Sequence, residues 1–245
     1  VTGLGKGSDE EIRKVLIGIV GSLRGYLSTA QEARKGSHNL TWSEGQPAAE
    51  FPDERGEKQG SSGGLQNLED VRQQTFDCRR CPLWPSRRTI VFGEGDPNAD
   101  LLFVGEGPGE EEDRQGRPFV GRAGQLLTNI IKAMGFQREN VYIANIVKCR
   151  PPGNRTPKPE EAEACLPYLR AQIRAIRPKV ICALGAVAAR YLLGTEAPVS
   201  ALRGRFYSYE GMDVMVTYHP AYLLRNPAAK KQVWDDVQQI VPRLS

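Results

Sequence analysis

The chain has 245 residues, of which 40% are hydrophobic and 25% charged, with a formal net charge of +4. That is the balance of an ordinary globular protein with one sizeable core, and no apolar run approaches the roughly 18–20 residues that span a bilayer, so a membrane-spanning helix is excluded. Residues 1–66 are close to neutral overall, so the positive excess lies in the remainder, as a phosphate-binding surface requires without being proved by it.

The opening Val1–Lys6 has no apolar stretch of the kind that directs export, so a cytoplasmic location is expected. Ser8 and Glu11 form a capping-box pattern. Apolar residues at Ile12, Leu16, Ile19, Leu23 and Tyr26 then mark one helical face, predicting an N-terminal amphipathic helix within residues 1–35. Two readings are open for it: a helix docked on the protein's own surface, or a tether for a protein partner. Residues 36–64 are rich in Gly, Ser, Pro and charge and read as a disordered linker.

The folded domain is expected over residues 65–245. Leu68, Val71 and Phe76 suggest a helix leading into a cysteine pair. Apolar runs at Leu101–Gly105, Val141–Val147, Val180–Leu184 and Val214–Tyr218 read as buried strands. Helical patterns near Gly121–Met134, Pro159–Ile176, Gly185–Leu193 and Lys230–Val241 are interleaved with them or follow them. This alternation predicts a three-layer α/β/α fold with a mostly parallel, four-stranded central sheet. In such sheets ligands collect at the carboxyl ends of strands. Three of the four ends carry unusual polar sequences: Gly105–Gly109, Asn145 and His219-Pro220.

There are five cysteines. In a reducing compartment they do not read as a disulfide framework. Cys78 and Cys81 form a C-x2-C knuckle, and Cys149 and Cys165 follow at a wide spacing, so four thiolates are available to one metal centre. Zinc and an iron–sulfur cluster both fit that donor set, although the wide second spacing is unusual for structural zinc. Cys182 lies inside an apolar strand and reads as core.

After the first strand, Gly105-Glu106-Gly107-Pro108-Gly109 allows close backbone approach to a ligand. The acids that follow, Glu110–Asp113, would repel a dinucleotide phosphate and read as a solvated helix N-terminus. His219 is one of two histidines, and the other, His38, falls in the linker. Phe119, between turn residues, reads either as core or as a stacking platform.

Taken together these segments resemble the family 4 uracil-DNA glycosylases. The matching pieces are GEGPGEEED at 105–113, GRPFVGRAGQLL at 116–127, NIVKCRPPGNRTP at 145–157 and HPAYLLR at 219–225. The resemblance covers roughly residues 70–242 and leaves out the N-terminal helix and linker. It implies excision of uracil from DNA to leave an abasic site, in a monomer acting on a flipped nucleotide. It also implies a [4Fe–4S] cluster on Cys78, Cys81, Cys149 and Cys165. The uracil pocket would be built from Glu106, Gly107, Phe119, Asn145 and His219. In that reading Phe119 stacks on the base, and Asn145 reads its N3–H and O4 edge. His219 donates to O2 as charge develops, and Glu106 orients water or stabilises the sugar cation. Glu112 would crowd the C5 position against thymine. Leu223 would wedge into the base stack, with Arg225 on the phosphates. Arg79, Arg80, Lys148, Arg150 and Arg155 suggest a DNA-facing loop braced by the cluster.

Two other readings stand beside this one: a non-catalytic iron–sulfur or zinc DNA-binding module, and a superfamily member acting on another damaged base. Glu106 and the uninterrupted GRPFVGRAG segment argue against the type that bonds covalently to DNA.

Overall fold

The computed structural model describes residues 67–244. The expected N-terminal helix and linker, residues 1–64, lie outside the described residues. The first element, α1 (Leu68–Thr75), is started by a reciprocal capping box in which Asn67 accepts from the Asp70 N–H and Asp70 accepts from the Asn67 N–H. It buries Val71 completely but ends one residue before Phe76, whose ring is 84% exposed. A loop carrying Cys78 and Cys81 leads to β1 (Glu94–Gly95) and then β2 (Leu101–Gly105).

After β2 come α2 (Glu110–Gln115), α3 (Arg122–Ala133), β3 (Tyr142–Asn145) and the long α4 (Pro159–Ile176). The chain continues through β4 (Val180–Leu184), α5 (Ala186–Leu193), the short α6 (Val199–Leu202), β5 (Phe206–Tyr209) and β6 (Met212–Thr217). It closes with α7 (Pro220–Arg225) and α8 (Lys230–Ile240). Among the described residues no helix is long and apolar enough to cross a membrane.

The sheet has six strands in the order β1-β3-β2-β4-β6-β5, so the expected count of four is corrected. The four anticipated strands are the parallel centre, β3-β2-β4-β6. The two additions are antiparallel edges. β1 is only two residues long, too short to show a period of two. β5 forms a tight hairpin with β6 around Glu210-Gly211, both at positive φ. That geometry is the one Asn-Gly or Asp-Gly normally announces, and Glu in the first place hides it.

The three layers follow from alternation along the central strands. Leu102, Val104, Ile181, Ala183, Val214 and Val216 face α4 and α5 in one apolar cluster. Leu101, Phe103, Val180, Cys182, Leu184 and Met215 face α3 and α8 in the other. Every residue of β2 and β4 is buried, as expected for strands covered on both sides. Cys182 is fully buried among these, a core residue as read from the sequence.

Candidate active site

The carboxyl ends of β2, β3 and β6 open onto one cavity of about 450 Å³. Glu106 and Gly107 follow β2, Asn145 ends β3, and His219 caps α7 just after β6. Beyond the paired strands the ladder continues, with the Ile146 N–H donating to the Gly105 carbonyl (2.9 Å) and the Val147 N–H to that of Glu106 (3.1 Å). Those bonds fix the two polar strand ends side by side.

Asn145 is 1% exposed, and its Oδ1 is buried without a hydrogen-bond partner. An unsatisfied buried acceptor costs about 1–3 kcal/mol. Asn145 also lines the cavity, so the fold leaves unpaired the amide oxygen of a residue on its wall. Gly105 makes that position possible. A Cβ there would stand 2.5 Å from both Asn145 Oδ1 and the Phe119 ring, so no other residue fits between them.

Phe119 is buried yet lines the cavity, its ring 5.5 Å from that of His219. Its backbone has a φ of +51°, which a non-glycine residue adopts only when the surroundings enforce it. They do so from both sides. Arg138 donates to the Pro118 carbonyl and is itself held by Glu94, which also takes a bidentate pair from Arg117. On the other side Glu112 Oε1 accepts from the N–H groups of Val120 (2.9 Å) and Gly121 (2.8 Å). The start of α3 passes directly beneath, where a Cβ on Gly124 would collide with the Phe119 carbonyl.

His219 Nδ1 accepts from the Ala221 N–H at 3.1 Å. The proton of the neutral ring is therefore on Nε2, available as a donor. Burial, with the Arg225 charge adding to it, depresses its pKa to about 4, so the ring is neutral at physiological pH. Burial also raises the Glu106 carboxyl above its usual range, opposed by a hydrogen bond with Thr156. The site thus combines a neutral donor, a free acceptor, an aromatic face and a carboxylate with raised proton affinity, which is the equipment of acid–base and oxyanion chemistry.

A second feature lies on the α4 side of the sheet. Cys78, Cys81, Cys149 and Cys165 line one small cavity together with Arg87, Lys148 and Tyr168. All are free thiols. Three donors point at the sulfurs: Arg87 Nη1 at Cys149 (3.5 Å), the Lys148 N–H at Cys165 (3.3 Å) and the Tyr168 hydroxyl at Cys78 (3.4 Å). Arg87 also donates to the Cys78 carbonyl at 2.6 Å, tying the two cysteine loops together. Burial raises the thiols of Cys81, Cys149 and Cys165, Cys149 to about 12.

The family model for the uracil DNA glycosylase superfamily matches residues 92–238. A type-4 uracil-DNA glycosylase of Thermotoga maritima is 48% identical over 176 residues, covering 70% of this chain and 92% of that protein. One from Sulfurisphaera tokodaii is 43% identical over 185 residues, covering 72% and 84% respectively. The chain belongs to the type-4 uracil-DNA glycosylase family. A type-5 enzyme from Pyrobaculum aerophilum is more distant, 31% identical over 190 residues.

Set against this family, seven of the residues expected from the sequence come together: Glu106, Gly107, Glu112, Phe119, Asn145, His219 and Arg225 all line the cavity. Two expectations change. Leu223 is 1% exposed and packs in the apolar cluster under α3, because the helical turn of α7 points it inward. It is not placed to enter a base stack, and the exposed apolar residues of that turn are Tyr222 and Leu224. Lys148 is 2% exposed, so its ammonium is not part of the basic surface. Glu112 lines the cavity as expected, and its Oε1 also braces the loop bearing Phe119. The sequence reading named no single residue of Pro151–Pro157 for the pocket, yet Pro151, Asn154, Arg155, Thr156 and Pro157 form one wall. None of those types announces chemistry by itself, and only the family motif that contains them points there.

Proposed function

We infer that this protein hydrolyses the N-glycosidic bond of uracil in DNA and leaves an abasic site for repair. The observation that carries the reading is Asn145, which lines the cavity with its Oδ1 left unpaired, beside an aromatic ring and a neutral histidine. Uracil presents N3–H as a donor and O4 as an acceptor, which the Asn145 amide matches through Oδ1 and Nδ2. Cytosine presents the reverse at both positions and would leave buried groups unpaired. Phe119 supplies a face for stacking. As the C1′–N1 bond breaks, its electron pair passes to the base and charge gathers on O2, where His219 Nε2–H donates. Water adds its oxygen to C1′ of the oxocarbenium-like sugar, and its proton passes to the Glu106 carboxylate.

A [4Fe–4S] cluster held by Cys78, Cys81, Cys149 and Cys165 fits the same reading. Four thiolates in one cavity, each set of loops anchored by donors, suit a group that takes one sulfur per iron. Zinc is the other group that four thiolates can hold, as one ion with its sulfurs at about 2.3 Å. When bound, the cluster supplies four bonds that cross-link the 78–81 loop, the 149 loop and α4. The hydrolysis itself uses only the residues of the cavity.

The deciding experiment is alkaline strand cleavage of a labelled oligonucleotide after incubation with the protein in EDTA. Cleavage at uracil, and none at thymine or cytosine, is expected from protein that carries the broad visible absorption of an iron–sulfur cluster. Coloured, folded protein that cleaves nowhere would leave a DNA-binding module as the better reading.

The exposed Leu224, 40% accessible, replaces Leu223 as the side chain to unstack a duplex, since Tyr222 already stacks on Tyr218 at 4.8 Å. Unstacking costs a few kcal/mol per step in a duplex and little in a single strand. Leu224→Ala is therefore expected to slow excision from double-stranded DNA by about tenfold while leaving single-stranded substrate nearly unaffected. Equal losses on both substrates would remove the wedge role. Leu223→Ala, by contrast, opens a core cavity and is expected to cost about 2–5 kcal/mol of stability.

A further inference from the structure

Among the described residues Lys148 is a buried lysine that does not line the cavity at the strand ends. Its side chain is buried, beyond reach of phosphates, on the segment that joins the end of β3 to Cys149. An ammonium group is costly to bury unless its protons are taken up. Here Nζ donates to the backbone carbonyl of Asn145 at 2.8 Å and to Gln172 Oε1 at 2.5 Å. Gln172, fully buried on α4, completes the set by donating to the Phe92 carbonyl at 2.9 Å. The backbone N–H of the same Lys148 donates to Cys165 Sγ at 3.3 Å. One residue therefore holds the cysteine site with its main chain and the last residue of β3 with its side chain.

We propose that Lys148 is a positioning residue for excision, fixing the orientation of the Asn145 amide from behind and linking it mechanically to the cysteine site. The proposal rests on the glycosylase reading above. Three features give it force. The peptide that follows Asn145 is held from both sides, its Ile146 N–H donating to the Gly105 carbonyl at 2.9 Å and its carbonyl accepting from Lys148 Nζ at 2.8 Å. Asn145 Oδ1 has no partner among the described residues, so the empty side chain is steered by its backbone and by steric contact with Gly105 and Phe119. And the two acceptors of Nζ come from different elements, β3 and α4, which makes the ammonium a strut between the sheet and the helix that carries Cys165. The spacing of Asn145, Lys148 and Cys149 in the sequence is then a working unit: reader, strut and cysteine within five residues.

The test is a double-mutant cycle on single-turnover excision of uracil. Lys148→Met keeps the length and apolar stem of the side chain and removes its three donors. It is expected to lower the rate by about 10- to 100-fold, the order of loss that follows small misplacement of a reacting group. Affinity for product DNA containing an abasic site is expected to stay within about twofold, because Lys148 touches no phosphate. In Asn145→Ala protein the same Lys148→Met change is expected to have almost no further effect on the rate. A purely structural brace would lower the rate by the same factor in either background, and that outcome, or an unchanged rate in Lys148→Met alone, would overturn the proposal. Should Lys148→Met fail to fold, Gln172→Leu removes the helix anchor of the same ammonium and carries the same cycle. Wild-type protein that excises no uracil would overturn the glycosylase reading and this proposal with it, whereas multiplicative losses on an active wild type would overturn only the role of Lys148.

Discussion

Asn145→Ala is expected to lower single-turnover excision of uracil by about 10²–10³-fold, the range seen when one preorganised polar partner of a reacting group is removed, while the protein melts no earlier than wild type. The second half of that result separates function from structure. A buried amide that stabilises the fold has partners, and its loss lowers the melting temperature. Asn145 Oδ1 has none among the described residues. Removing it relieves a desolvation cost of about 1–3 kcal/mol, set against a small void where the side chain stood. For a domain of this size 1 kcal/mol corresponds to about 2–4 °C, so the two opposing terms leave the melting temperature level or slightly raised. Polar groups kept unpaired at the expense of stability are a signature of sites shaped by function. Calorimetry beside the excision assay checks both halves. A fall in activity with a matching fall in melting temperature would make Asn145 a structural residue and take the base-reading role from it.

How much of this was legible in the sequence depends on the distance over which each feature is encoded. The four central strands and the helices around them announce themselves, because a strand buried on both faces must be apolar throughout and the pattern is local. The edge strands were hidden for local reasons too: β1 is too short, and the β5–β6 hairpin turns on Glu210-Gly211 rather than a more typical pair. At the site, the residues that carry recognisable chemistry, Glu106, Asn145, His219 and the cysteines, could be picked from their places at strand ends and from the family motifs. Their supports could not. Arg138 bonds the Pro118 carbonyl from 20 residues away, and Lys148 reaches Gln172 across 24. A charged residue in the sequence looks the same whether it will meet solvent, phosphate or a buried carbonyl. Lys148 therefore read as one more member of a basic cluster. Leu223 failed for a related reason. Adjacent leucines on one turn of helix point some 100° apart, and only the packing of α7 on α3 decides that Leu223 faces in and Leu224 out.

Glu106 carries the other large effect. Glu106→Gln preserves shape and hydrogen bonding to Thr156 but cannot accept a proton from water, so the excision rate is expected to fall by about 10²–10⁴-fold, the usual contribution of a general base. The pH profile identifies the group. Burial raises the Glu106 carboxyl above the ordinary carboxylate range. Its working form is the ionised one, so the wild-type rate falls as pH drops through that raised value. With glutamine in its place this limb disappears. His219 titrates near pH 4, where protonation puts a hydrogen on Nδ1 and breaks its bond from the Ala221 N–H. The variant's low rate should therefore stay flat through mildly acidic pH and fall only on approach to about pH 4. The stability linkage has the opposite sign. A carboxyl with a folded-state pKa raised above its unfolded value binds more protons folded than unfolded, so stability falls as pH rises through that interval. At neutral pH the wild type bears the cost of an ionised, partly buried Glu106, and the glutamine variant does not. Glu106→Gln should thus be slower yet melt higher at pH 7, with the difference in melting temperature closing below the unfolded carboxylate range. A variant that keeps the wild-type acid limb would show that another group holds the essential negative charge and that Glu106 does not activate the water.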